Sequence, residues 1–440
     1  MIFFYPIIFL FLLINCSFDN KSGIWTNNDK KNTKYQVFKD FKKISTKDDE
    51  FNKIINIKDL NLNLSGPKTS SQWQDIFYNY GNNSENFKYG KKNQLIFKSK
   101  KLSKKNVNEF ILLKNNNLIL SDKKGNIVAF SIGQNKIVSK FNFYKKKYKK
   151  IDKKLNLAVE EKTIFVSDNL GYLYAYDYEI GKILWAKNFK SPFRSNIKIL
   201  KNKIAASNEK NEFILFNKKN GEIIKKIPTE ETIVNNYFIN NISSNGNDTL
   251  FFLNSFGSLY SINAELLNIN WFLNLNSAIE LTPNNLFSGV EIVNNKSKII
   301  VSSQDKTYII NLDTGLIERK WNFSSLIRPI INNHYGFFVT KNNLLIAVHM
   351  KKNKIIYSYN INKKIADFLD TEKKNLTFSS FRIVEDHIII FLENSYVLDF
   401  QINGKLENIY KLPSKIKTEP IYIDSALLFL NKKNQLIILN

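Results

Sequence analysis

Residues 162–189 read KTIFVSDNLGYLYAYDYEIGKILWAKNF, and residues 248–275 read DTLFFLNSFGSLYSINAELLNINWFLNL. The two stretches align without a gap. Gly171 falls on Gly257, Tyr174 on Tyr260 and Trp185 on Trp271, each pair 86 positions apart. A third copy lies midway, at residues 204–227, with Asn211 at its first turn and Gly221 at its second. The true unit is therefore about 43 residues, the length of one four-stranded propeller blade. Weaker copies begin near Leu118, Ser297, Asn343, Asp386 and Ser425, which makes eight starts in all.

Each unit carries the same physical instructions. A run such as Ile164-Phe165-Val166-Ser167-Asp168 reads as a buried strand ending at a turn. Gly or Asn at the turn tolerates positive φ, so a tight hairpin forms there. The run Tyr172 to Asp177 alternates and packs on its neighbours, and a second turn at Glu179 to Lys182 leads to an outer strand bearing Trp185. That Trp is expected to wedge between adjacent blades, because one sheet cannot bury both faces alone.

The period-two pattern argues against helices throughout. The reading is an all-β protein, an eight-bladed β-propeller over residues 72–440, and 43% hydrophobic residues are ample for its core. The last unit, from Ser425 to Asn440, holds only two strands, so the ring must borrow from its N-terminal side to leave no open edge. Leu95 to Ser99 is the expected outer strand of the last blade, and Glu109 to Leu113 an inner strand of the first.

Ahead of the repeats, residues 2–14 form an apolar run interrupted only by Pro6. It is too short to span a bilayer and fits the apolar region of a secretory signal. Leu13-Ile14-Asn15-Cys16 resembles the end of a bacterial lipoprotein signal, although Asn15 stands where Gly or Ala is usual and no Lys or Arg precedes the run. The resemblance implies removal of residues 1–15, lipidation of Cys16 and, from Ser17, an outer-membrane destination. Residues 16–71 are polar and read as a flexible tether, with a short helix near Tyr35 to Phe41. The composition shifts at Trp73. As the only cysteine, Cys16 excludes an internal disulfide.

The formal charge is +26, but the excess is mostly Lys mixed with Asn along the whole chain. No helix-turn-helix, zinc or aromatic RNA-binding motif accompanies it, so no nucleic-acid partner is expected. The cluster from Lys145 to Lys150 reads as a solvated loop between strands.

The pattern from Ser167 to Trp185, SDNLGYLYAYDYEIGKILW, resembles the tryptophan-containing repeat of the pyrroloquinoline-quinone (PQQ)-like propellers. Two groups use that repeat: quinone-dependent alcohol dehydrogenases, and the outer-membrane assembly lipoproteins of the BamB family. The signal, the tether and Tyr80-Gly81-Asn82-Asn83 after Trp73 are similar to the second group. That likeness implies a non-enzymatic scaffold, monomeric within a larger complex, lipid-anchored on the periplasmic face of the outer membrane. Its implied partner is the barrel-inserting outer-membrane subunit. Ser191-Pro192-Phe193-Arg194-Ser195 is similar to the Arg-bearing loop by which the family docks, with Phe193 an apolar anchor and Arg194 a charge-assisted donor. The family's acidic residues in a neighbouring loop have no counterpart around Asn235 to Asn241, and Arg328-Pro329 reads as a structural blade entry.

Enzyme chemistry is poorly supported. A dehydrogenase of this family needs an adjacent cysteine pair and clustered oxygens for Ca²⁺, and neither is present in the sequence. His334, His349 and His387 fall in different units without metal-ligand spacing, and no P-loop or nucleophile elbow occurs. No cofactor and no metal are expected. The alternatives are a periplasmic propeller that binds another envelope protein or an anionic polymer, and a quinone-dependent relative.

Overall fold

The computed structural model describes residues 16–18, 25–27, 62–90, 92–144, 146–231, 240–276, 286–287, 289–303, 305–369 and 376–440. The expected signal at 1–15 and helix at 35–41 lie outside these residues. Cys16–Phe18 pairs antiparallel with Trp25–Asn27 in a small unit of its own.

Eight antiparallel four-stranded blades follow, the first seven ordered as the chain runs and the seventh carrying one added parallel strand. Blade 1 spans Val107–Lys114 to Lys136–Asn142, blade 2 Leu155–Glu160 to Lys182–Asn188, and blade 3 Lys198–Ile199 to Ile223–Ile227. Blade 4 spans Asn241–Ser244 to Asn268–Asn274, blade 5 Val293–Asn294 to Ile317–Trp321, and blade 6 Ile330–Asn332 to Lys354–Asn360. Blade 7 spans Phe378–Val384 to Leu406–Lys411.

Blade 8 closes the ring as the sequence requires. Ile421–Ile423, Ala426–Leu430 and Gln435–Leu439 take Leu95–Lys101 as their outer strand, with Phe97 opposite Ile438 and Lys98 opposite Ile437. Three of its strands are its own rather than two, so a single strand is borrowed.

The middle strands are buried on both faces; Tyr172–Asp177 is buried at every position but its first and does not alternate. This is what sheets sandwiched between sheets demand. Two expectations need correction. Blade 6 begins one strand earlier than Asn343, because Tyr335–Val339 is its second strand and Leu344–His349 its third. Among the described residues one α-helix is present: α1, Ile361–Leu369, follows the outer strand of blade 6 and packs on blades 6 and 7 through Ile361 and Ile365. Its connector lies outside the ladder, where period two no longer applies.

Outer aromatics clip alternate blades to the next. Trp185 of blade 2 donates its Nε1–H to the Lys218 carbonyl in the second turn of blade 3, at 3.0 Å. Trp271 of blade 4 does the same to Leu312 of blade 5, at 3.2 Å, and the Tyr357 hydroxyl of blade 6 reaches Ile402 of blade 7, at 2.8 Å. In blade 8 the position falls to Phe97, whose ring lies 6.4 Å from Phe130 of blade 1. Gly221 has φ +71° and sits under the Trp185 ring, where any Cβ would collide. Both facts require glycine. The prediction is that Gly221→Ala lowers the melting temperature by several degrees in thermal unfolding, whereas Gly181→Ala, with open space about it, is limited to its positive-φ strain.

A candidate docking face and a charged channel

Residues 70–90 decide the geometry of the centre, since this one segment bonds to the inner strand of every blade. Trp73 exchanges backbone hydrogen bonds with Leu113 of blade 1, and Val159 of blade 2 donates to Gln74. Lys198 of blade 3 meets Asp75 at 2.6 Å and the Asn79 carbonyl at 2.9 Å. Ser244 of blade 4 donates to Tyr80, and Asn294 of blade 5 to Gly81. The Asn82 amide donates to both Ile242 and Ile292, while Asn83 makes a two-way pair with Ile331 of blade 6. Asn86–Phe87 adds a parallel fifth strand to blade 7, and Asp424 of blade 8 donates to Ser70. Upstream, Leu62 is buried among blades 6 and 7, so residues 62–71 of the expected tether lie against the propeller.

The segment crosses the channel near the C-terminal ends of the inner strands. Connectors between blades gather at the other mouth, where Ile76 and Phe77 form the floor of a cavity of about 280 Å³. Most blades contribute side chains there, at corresponding places in the repeat. Glu109 comes from blade 1, Asn156 from blade 2, Glu291 from the entry to blade 5 and Arg328 from the entry to blade 6. Ser380 and Arg382 come from blade 7, and Glu419 from the entry to blade 8.

Arg328 and Arg382 both bind Glu419, the first at 3.2 Å. Arg328 also lies 4.8 Å over the Phe77 ring, and Arg382 lies 5.7 Å over Trp73. The expectation that Arg328-Pro329 serves only as a blade entry therefore missed its place in this network. Burial pushes the Glu419 carboxyl up, but Arg382 and Arg328 more than offset this and hold it below the usual range. Burial holds Glu109 high, with Glu419 and Glu291 raising it further, and burial holds Glu291 high as well.

The signs of these shifts oppose one another. Glu419 contributes stability that is lost as pH falls through its depressed value. Glu109 and Glu291, with raised values, hold their protons more tightly folded than unfolded, so their contribution is lost as pH rises through the folded values. The variant Glu291→Gln should therefore be more stable than the wild type near neutral pH, and the gain should vanish at about pH 4, whereas Glu109 is exposed at the mouth and its substitution should change stability little. Denaturation across that pH range reads the effect directly.

The expected docking loop sits on the connector side of this mouth, between blades 2 and 3. Residues 192–195 of that loop are not equally available. Phe193 is 2% exposed and packs between Phe189 and Phe216, at ring distances of 5.9 and 6.2 Å, so it holds the loop from inside. Ser195 is fully buried and accepts from the Ser207 backbone N–H at 2.7 Å. Only Pro192 and Arg194 reach solvent. Arg194 is pinned by its backbone N–H to the Ser207 carbonyl, and its guanidinium lies 3.6 Å from Glu209. An acidic neighbour thus exists, supplied by the Asn208–Asn211 turn of blade 3 and not by the stretch around Asn235 to Asn241. Of that stretch, residues 235–239 lie outside the described residues.

Lys146, Lys149 and Lys150 are exposed, in and after a short 3-10 turn between blades 1 and 2. Sheet register also assembles what spacing concealed. His387, Asp399 and Glu407 converge on blade 7, with His387 Nδ1 at 2.7 Å from Asp399 and 3.3 Å from Glu407. His334 and His349 share blade 6, their rings stacked 6.1 Å apart, which corrects the assignment of the histidines to different units. A planar quinone does not suit the channel: the Phe77 ring at its floor already carries the Arg328 guanidinium, Arg382 is held over Trp73, and no cysteine lies within the propeller.

Eight four-stranded blades with indole clips between them define the class, a PQQ-like propeller. Residues 123–359 match the family described as outer membrane protein assembly factor BamB, and the chain belongs to that family. Among solved structures, BamB from Moraxella catarrhalis superposes with a TM-score of 0.61 at 10% identity, covering 79% of this chain and 99% of that one. A europium-containing methanol dehydrogenase gives 0.59 at 11% identity, covering 84% and 89%. The computationally designed Ika8 protein gives 0.58 at 8% identity, covering 79% and 99%. At these identities the likeness is one of fold. No curated protein matches the sequence.

Proposed function

We propose that the chain is a non-enzymatic scaffold of outer-membrane protein assembly, tethered through a lipidated Cys16 on the periplasmic face of the outer membrane. Family membership supports the setting. The observation that carries the docking surface is the presentation of Arg194. It stands at the connector mouth beside half-buried Pro192, on a loop fixed from below by Phe193 and Ser195. A guanidinium held in place loses little entropy on binding, and it can donate to carboxylates or carbonyls of the barrel-inserting subunit. The lipid anchor would raise the local concentration of this weak contact. In this reading the acyl chain supplies the membrane attachment; among the described residues no helix is long and apolar enough to cross a membrane.

Affinity capture from a detergent extract of the envelope tests this reading. The wild type should retain the barrel-inserting subunit, and Arg194→Ala should weaken retention by roughly tenfold while leaving the melting temperature nearly unchanged. Recovery of no barrel-assembly subunit by the wild type would defeat the proposal. Binding that ignores Arg194→Ala and collapses with salt would point instead to an anionic polymer.

A further inference from the structure

We propose that the open mouth of the channel is a binding pocket for a small zwitterion, with a free α-amino acid as the simplest case. Glu109 and Glu291 would receive its ammonium, and Ser380 and Arg382 its carboxylate. The pocket is separate from the Arg194 loop and stands whether or not docking occurs there.

The cavity holds two kinds of unmet demand. Glu109 and Glu291 line it from opposite sides of the ring, blades 1 and 5. Both arginines of the channel direct their ion pairs to Glu419, and among the described residues neither Glu109 nor Glu291 takes part in an ion pair. The adjoining stretch 277–288 contains no Lys or Arg that could supply one. Glu291 is half-buried and Glu109 stands exposed at the mouth; two like charges facing one cavity repel, and a cation between them relieves that cost.

The second demand is of opposite sign. Ser380 is 4% exposed and its hydroxyl has no hydrogen-bond partner, although it faces the same cavity. Arg382 is 3% exposed; its Nη atoms serve Glu419 and the Phe381 carbonyl, while Nε–H has no acceptor. Buried donors without acceptors are rare and mark a place for a missing partner. A metal ion would satisfy the carboxylates and leave these donors idle beside a repelling guanidinium. A simple anion would do the reverse. One molecule carrying both charges satisfies both sets, and a cavity of about 280 Å³ limits it to a small one.

Isothermal titration of the whole protein with L-alanine and L-lysine, at neutral pH, tests the assignment. Both should bind, and N-acetyl-alanine and alanine amide, each lacking one charge, should bind roughly tenfold more weakly or worse. Glu291→Gln and Ser380→Ala should each weaken binding by a similar factor. The first removes a half-buried charge and the second an unpaired buried hydroxyl, so both variants should remain folded, which circular dichroism would verify. Three results would overturn the proposal: no heat with either amino acid up to about 10 mM, binding unchanged in both variants, or calcium chloride binding through Glu291 while the amino acids do not.

Discussion

Trp73→Ala is expected to destabilise the propeller by about 3–5 kcal/mol, the loss usual for deleting a buried indole. Trp73 is 1% exposed and far from any blade's own repeat pattern, yet three supports converge on it. Its ring lies 4.5 Å from Tyr78 and 5.7 Å from Phe87, and the Arg382 guanidinium covers it. Removing the ring opens a cavity at the point where the entry segment, blade 1 and blade 7 meet. The damage should therefore reach Arg382 and Glu419, which lose the surface that positions them. Urea denaturation reads the magnitude, and a shift of the midpoint equivalent to less than about 1 kcal/mol would mean that the segment is only loosely applied.

The second large effect concerns Lys198 and Asp75. The amine is 2% exposed and meets Asp75 at 2.6 Å. Burial pulls Lys198 down from its ordinary value, and the Asp75 carboxylate pulls it back up without full compensation. Asp75→Ala strands that amine and also frees the Phe77 backbone N–H, which Asp75 accepts at 2.9 Å. The expected loss is about 3–5 kcal/mol at neutral pH. The sign of the pH dependence is diagnostic. An amine with a depressed folded value binds its proton more weakly folded than unfolded, so the penalty shrinks as pH rises toward the unfolded value. The variant should recover stability relative to wild type in the alkaline range, as denaturation midpoints at several pH values would show.

The repeat was legible because each blade restates one local grammar. Turn residues and strand runs recur at fixed offsets, and the ring follows from their number. The spacing of 86 between the clearest copies has a physical origin in the clips. Trp185, Trp271 and Tyr357 stand on alternate blades, so the strongest signal returns every second unit. Blade 3 carries Lys225 at the equivalent position and blade 5 carries Arg319, which is why those copies read as weak. Blade 6 was misplaced by one strand because Tyr335–Val339 and Leu344–His349 are both continuous apolar runs, and burial on both faces erases the difference between second and third strands.

The channel was not legible. Its residues come from separate inner strands and blade entries, and Glu109, Glu291 and Glu419 are each ordinary in their own surroundings. Only closure brings them together. The same holds for His387, Asp399 and Glu407, which sheet register and a bulge after Asp399 place side by side. The candidate docking loop was legible only as a stretch of chain. Sequence likeness singled it out, but the burial of Phe193 depends on Phe216 of the next blade, which no local pattern reveals.

The entry segment ties eight inner strands that otherwise meet only their neighbours. Two truncated chains test that claim most directly, one starting at residue 62 and one at residue 92, both retaining the closing strand Leu95–Lys101. Thermal unfolding followed by near-ultraviolet circular dichroism should show one sharp, cooperative transition for the longer chain and no native signal for the shorter. If the chain starting at residue 92 unfolds as sharply and at the same temperature, the ring stands without its lacing and the account is contradicted.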